Sequence, residues 1–212
     1  MKSQEFLTVF KMARRKDHTP EELTELVLSH VLSALQTEPA DQLSLRKLAK
    51  AVGYSPGTLI NLFGSYAKLI LAANARTLDI ISQQLASVMT EMDSAEEKLH
   101  HFAQAYLAFA QEHPHQWRIL FEHHLEEDED IPQWQLSRIN ALFEMIETCL
   151  KDLNPKADEE KRHEASRVIW AAVHGICALS IDDKLFAQDD VGGTNMITSL
   201  LDHYLFSWKQ AN

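Results

Sequence analysis

Residues 44–69, SLRKLAKAVGYSPGTLINLFGSYAKL, constrain this chain more tightly than any other stretch, because they prescribe two short helices crossing at close range and a third starting at once. Such a crossing needs a small residue on the inner face, a turn residue that accepts positive φ, and apolar residues at the contact. Ala49 is the small residue, and Gly53, four positions later, falls where the first helix must end, at a left-handed C′ position. Leu45, Leu48 and Val52 give the first helix an apolar stripe, and Leu59, Leu62 and Phe63 give the second one that can face it. Ser44 can cap the first helix. Ser55 and Pro56 offer the second a cap and an N1 proline, and Gly64 and Ser65 stop it and cap the next. The pattern specifies a helix-turn-helix. Two readings of it are open from the residues alone: a nucleic-acid-binding unit, or an αα-corner without that role.

The same residues resemble the DNA-binding domain of the TetR family of bacterial transcriptional regulators. LSLRKLAKAVGYSPGTL, followed by Phe63, Gly64 and Ser65, resembles that family's helix 2, turn, helix 3 and start of helix 4, with residues 21–36 as helix 1. Farther on, HPHQWRILF from His113 and the run from Trp170 through His174 to Gly175 resemble a subgroup whose C-terminal domain carries a Trp-x-x-x-His-Gly signature. The resemblance covers nearly the whole chain from Met12. It implies a homodimer on a palindromic double-stranded DNA operator, and a small apolar or amphipathic effector held in the C-terminal part.

Composition agrees with helices throughout. Only 6 Gly and 6 Pro occur among 212 residues, 45% of the chain is apolar, and no run of alternating β-branched residues is present. The fold class is all-α: an N-terminal three-helix helix-turn-helix domain joined by a long helix to a larger C-terminal helical ligand-binding and dimerisation domain. The expected divisions are a basic N-terminal arm at 1–18, read as disordered, the DNA-binding domain at 19–70 and the remainder at 71–212. Residues 1–11 have no counterpart in the resemblance and are read as an extension from an alternative start or an added segment.

The net charge of −11 is unequally distributed: residues 1–71 carry +2 and the rest −13. An acidic body under a weakly basic head lets phosphates approach one end and orients the chain on a duplex. Cys149 and Cys177 lie in apolar helical patterns, which favours free buried thiols in a reducing compartment. With no apolar stretch long enough for a signal peptide or a membrane span, the expected location is the cytoplasm.

Downstream, periodicity predicts one helix over 65–92, a second opened by a capping box at Ser94 and Glu97, and a break at Pro114. Further helices are expected over 133–153, 158–182 and 194–209. The stretch from Val168 to Ile181 is apolar nearly all the way round, with His174 and Ser180 its polar side chains, so it is expected to be covered on all sides.

For DNA, the predicted contacts are Ser55, Gly57 and Thr58 at the start of the second helix of the motif and Asn61 on its outer face, the last suited to bidentate contact with adenine. Arg46, Lys47 and Lys68 are placed for phosphates, and Arg14, Arg15 and Lys16 form an arm that could reach the minor groove or stay a solvated tail. The chain departs from the family pattern at Ile60, Leu62 and Tyr66, losing two polar contacts and one cation, although the Tyr66 hydroxyl can still donate to a phosphate.

Phe102, Tyr106, Phe109, Trp117, Phe121, Asn140, Trp170, His174 and Cys177 are the candidates for an effector pocket, the alternative being plain core. Ala171, Gly175 and Ala178, bare of bulk on one helix face, together with Ile197, Leu201, Tyr204 and Trp208 on the last helix, are the candidates for a dimer interface; the alternative is packing within one chain. Eleven histidines, among them His113, His115, His123 and His124 near Glu126 and Asp128, raise the question of a metal. Adjacent pairs diverge by about 100° on a helix, so no metal and no cofactor is expected. Nor is a catalytic order of residues found, and the chain is read as no enzyme. The competing class is a helical ligand-binding protein or enzyme with a vestigial helix-turn-helix.

Overall fold

A computed structural model describes residues 18–125, 129–182 and 192–211. Among them every regular element is helical: α1 (Pro20–Ala34), a 3₁₀ turn (Ala40–Gln42), α2 (Leu45–Ala51), α3 (Pro56–Phe63), α4 (Tyr66–Thr90), α5 (Ala95–Glu112), α6 (Pro114–Glu122), α7 (Gln133–Leu153), α8 (Glu159–Asp182) and α9 (Gly193–Gln210). Arg14, Arg15 and Lys16 of the predicted arm lie outside the described residues.

Local chemistry sets the boundaries at the head. Thr19 accepts the Glu22 amide while Glu22 reaches back to the Thr19 amide, closing a capping box at α1. Ser44, Ser55 and Ser65 each accept the amide three residues on, which caps α2, α3 and α4 in turn. At the end of α2, Gly53 takes φ +76, its amide donates to Lys50 O and the Tyr54 amide donates to Ala49 O. Those two bonds make a Schellman motif, and the backbone conformation disfavours any side chain at Gly53.

α4 has 25 residues, three fewer than the expected span of 65–92, because Ser65 is its cap and it ends at Glu91 ahead of the Ser94 box that opens α5. At 1.5 Å per residue it is about 38 Å long. Its first three turns belong to the head and its remainder to the body. The head core gathers Val27, Val31 and Leu35 of α1, Leu48 and Ala49 of α2, Leu59 of α3, and Leu69, Ile70 and Ala73 of α4. Ile119 of α6 belongs to this core as well. The body core packs α4, α5, α7, α8 and α9 around Ile81, Leu99, Phe102, Leu150, Cys177, Leu201 and Leu205.

Two polar bonds tie α6 to the head, and ion pairs brace α4 on either side of the junction. Asn74 Nδ2 on α4 donates to Ile119 O at 3.1 Å, and Gln116 Nε2 on α6 donates to Leu32 O on α1 at 2.9 Å. Asp79 on α4 accepts two bonds from Arg138 on α7, at 2.9 and 3.3 Å. Arg76 pairs with Glu25.

One expectation about a helix face is corrected, and α7 adds a departure of its own. α8 is not covered all round: Val168, Ala171 and Leu179 are exposed. On α7, Trp134 and Leu136 face outward while Gln135, between them, is buried.

Candidate functional site: nucleic-acid interface and body cavity

The cap that starts α3 also fixes what its N-terminus can offer. Ser55 Oγ takes the Thr58 amide and lies 2.9 Å from Thr58 Oγ1, so these hydroxyls orient each other. Pro56, Gly57 and Asn61 are exposed, leaving α3 one uncovered edge with an amide side chain on it. Arg46 and Lys47 are exposed on α2, with Lys47 Nζ donating to Gln42 O at 2.9 Å. Beside them, His18 Nδ1 and Tyr54 Oη share a hydrogen bond at 2.8 Å, and both line a recess with Thr58 and Asn61. No local pattern in the sequence marks this pair, whose members are far apart in the chain.

Two predicted DNA contacts are corrected. Lys68 forms an ion pair with Glu129 of the α6–α7 connection and turns toward the body beside Leu62, Phe63 and Trp134. Tyr66 is half-buried against Ile70 and Ile119 in a recess that also holds Asp41 and Glu122, and burial raises its phenol above the usual 10. A carboxylate thus holds Lys68, and two more line the recess beside Tyr66, where like charge disfavours a phosphate.

In the body a cavity of about 270 Å³ opens between five helices. Leu78 and Ile81 of α4, Tyr106 of α5, Leu120 and Phe121 of α6, Gln135, Ile139, Leu142 and Phe143 of α7, and Trp170 of α8 form its walls. Of the predicted residues, Tyr106, Phe121 and Trp170 stand there. Trp117 and His174 lie behind them: the imidazole stacks between Trp117 and Trp170, with centroids at 4.6 and 5.0 Å, meets Phe121 edge-on and bonds Tyr106 Oη at 3.1 Å. The Trp-x-x-x-His spacing thus acquires a physical meaning, since residues four apart on a helix lie one above the other. Burial keeps His174 below its usual 6.5 and Tyr106 above its usual 10, so both are neutral near neutral pH.

The other predicted pocket residues are corrected. Phe102, Phe109 and Cys177 are spent on the body core, and Asn140 is exposed, one residue and about 100° round α7 from Ile139. Gln135 was missed, although it stands on the stripe of Ile139, Leu142 and Ile146. The thiols of Cys149 and Cys177 are pushed up by burial to about 11 and about 12. Protonated thiols are poor nucleophiles. Among the described residues no group of three or more His, Cys, Asp or Glu could hold a metal ion, and no helix is long and apolar enough to cross a membrane.

The predicted dimer surface is half corrected. Ile197, Leu201 and Trp208 are buried in their own chain, where Trp208 Nε1 donates to Leu150 O and Asn154 Nδ2 donates to Trp208 O. Tyr204 and Ala178 pack on the same core. Ala171 and Gly175 remain on the open side of α8, and a Cβ on Gly175 would meet no atom within 4 Å. Val168 and Leu179 extend this face, and Phe206 of α9 is 64% exposed.

A capped helix-turn-helix on a helical body is the architecture of a DNA-binding regulator. The family described as tetracyclin repressor-like, C-terminal domain, matches residues 99–204, half of the chain. The nucleoid occlusion factor SlmA of Vibrio atlanticus is 31% identical over 161 residues, which is 74% of this chain and 79% of that protein. The fold is shared with a protein of unknown function from Rhodococcus sp. RHA1, at 19% identity and TM-score 0.75 over 93% of this chain and 100% of that one. It is shared too with the Thermus thermophilus TetR-family repressor FadR, solved in complex with lauroyl-CoA, at 13% identity and TM-score 0.62 over 89% and 96%. The chain belongs to the TetR family and is a DNA-binding transcriptional regulator.

Proposed function

We propose that the chain works as a homodimeric, ligand-responsive repressor whose hold on a palindromic operator is set by a small molecule in the body cavity. The supporting observation is the double membership of α6. Leu120 and Phe121 line the cavity, while Ile119 beside them is buried in the head core and accepts the Asn74 side chain. A molecule that displaces Phe121 therefore moves a helix fastened to α1 and α4, and the two heads change spacing by a shift in population.

The open faces of α8 and α9, with Val168, Ala171, Gly175, Leu179 and Phe206, are assigned to the partner copy. Arg46, Lys47, Gly57, Thr58 and Asn61 are assigned to DNA, with Ser55 as their cap, and the division into head and body, expected at 70/71, is assigned to α4 a turn or so later, past Ala73. The cytoplasm, where the DNA is, is the assigned location. Filling the cavity is the test: Leu142→Trp should change operator affinity about tenfold or more while sedimentation still shows a dimer. Unchanged affinity in a folded dimer would reject the coupling.

A second reading, a ligand-binding protein or enzyme with a vestigial head, draws support from the carboxylates beside Lys68 and Tyr66. Under it, Asn61→Ala and Thr58→Ala leave every activity of the chain unaltered. The name of the SlmA relatives adds a variant of the first reading, in which DNA binding serves nucleoid occlusion.

A further inference from the structure

The polar side chains at the cavity wall are Tyr106, Gln135 and Trp170, and no wall residue is a carboxylate or a cation. Tyr106 Oη already bonds His174. Gln135 is 5% exposed, and its Oε1 is buried without a hydrogen-bond partner. An acceptor left in that state is rare, and it calls for a donor from something bound beside it. Arg138 of α7 and Arg167 of α8 are engaged elsewhere: Arg138 is held by Asp79, and Arg167 is paired with Glu147 and lies over the Phe143 ring.

A cavity of about 270 Å³ has the space of nine or so waters at ~30 Å³ each. Resting on the effector reading of this cavity, we propose that its ligand is an uncharged, mostly apolar molecule of roughly ten non-hydrogen atoms that donates one hydrogen bond, from a hydroxyl or N–H, to Gln135 Oε1. A carboxylate of the same size is rejected. No cation stands on the wall to offset the loss of its hydration.

Three probes of matched length separate the possibilities by calorimetry on the intact chain: 1-octanol, which donates; octyl methyl ether, which only accepts; and octanoate, which is charged. 1-Octanol should bind about tenfold tighter than either, the worth of one neutral hydrogen bond. Gln135→Leu should lower 1-octanol to the affinity of the ether and leave the ether unchanged; Gln135→Met, closer in length, should do the same. Equal binding of the alcohol and the ether, tight binding of octanoate, or a preference that survives both substitutions overturns the donor assignment and leaves the effector reading standing. Binding of none of the three by a chain that still binds DNA overturns the cavity as a small-molecule site altogether.

Discussion

The head and the body of this chain are both helical and both closed around aliphatic cores, yet they treat packing differently. In the head, Val27, Val31, Ala49, Leu59 and Leu69 are wholly enclosed, and α1 to α4 each begin on a side-chain cap. In the body, a comparably enclosed set stands beside an apolar cavity and the exposed apolar residues Val168, Leu179 and Phe206. A rigid head presents α3 in one geometry. Incomplete packing in the body leaves room for a ligand inside and a second copy outside, which are the two things a regulator must accommodate.

Substitutions can break this comparison, and the largest effect is expected in the head. Leu59→Ala removes a fully enclosed side chain and should cost about 3 kcal/mol in a denaturant titration, with DNA binding lost; a cost near zero would mean the head is as loosely packed as the body. Asn61→Ala should weaken the preferred DNA site by about 2 kcal/mol in a binding titration and leave thermal stability alone, because the residue is exposed. Gln135→Leu should do the reverse of a core truncation and raise stability by about 1 kcal/mol, since it removes an unpaired buried acceptor. Loss of stability there would show the amide to be satisfied.

The smallest effect is a pH dependence. Burial holds His174 and His123 below their usual 6.5 in the folded chain. As pH falls through 6.5 the unfolded state takes up protons first, so stability present at neutral pH declines toward the folded values. Thermal melts across that range should show the decline, and His174→Gln should flatten it. Stability that rises on acidification would contradict the burial of these rings.

What was legible in the sequence was local. The head boundaries depend on caps and turns within four residues of one another, so Ser44, Gly53, Ser55 and Gly64 could be read directly. The facing of α9 could not: its stripe of Ile197, Leu201 and Trp208 and the neighbouring one of Met196, Leu200 and Leu205 are both apolar, and packing on α5, α7 and α8 decides that the first serves this chain's own core. Lys68 and Tyr66 failed for the same reason, because Glu129, Ile119 and Glu122 are remote in the chain. On α7 side-chain polarity alone points the wrong way, because packing buries Gln135 and exposes Leu136.

The central claim is that two heads are held at a fixed separation by a dimer of bodies. It is tested most directly by the affinity of the intact chain for a selected duplex with two half-sites one helical turn apart, against the same duplex with half a turn inserted between them. Two clasped heads cannot reach half-sites on opposite faces of the duplex, so affinity should fall to that of a single half-site. Equal affinity for the two duplexes would contradict the account.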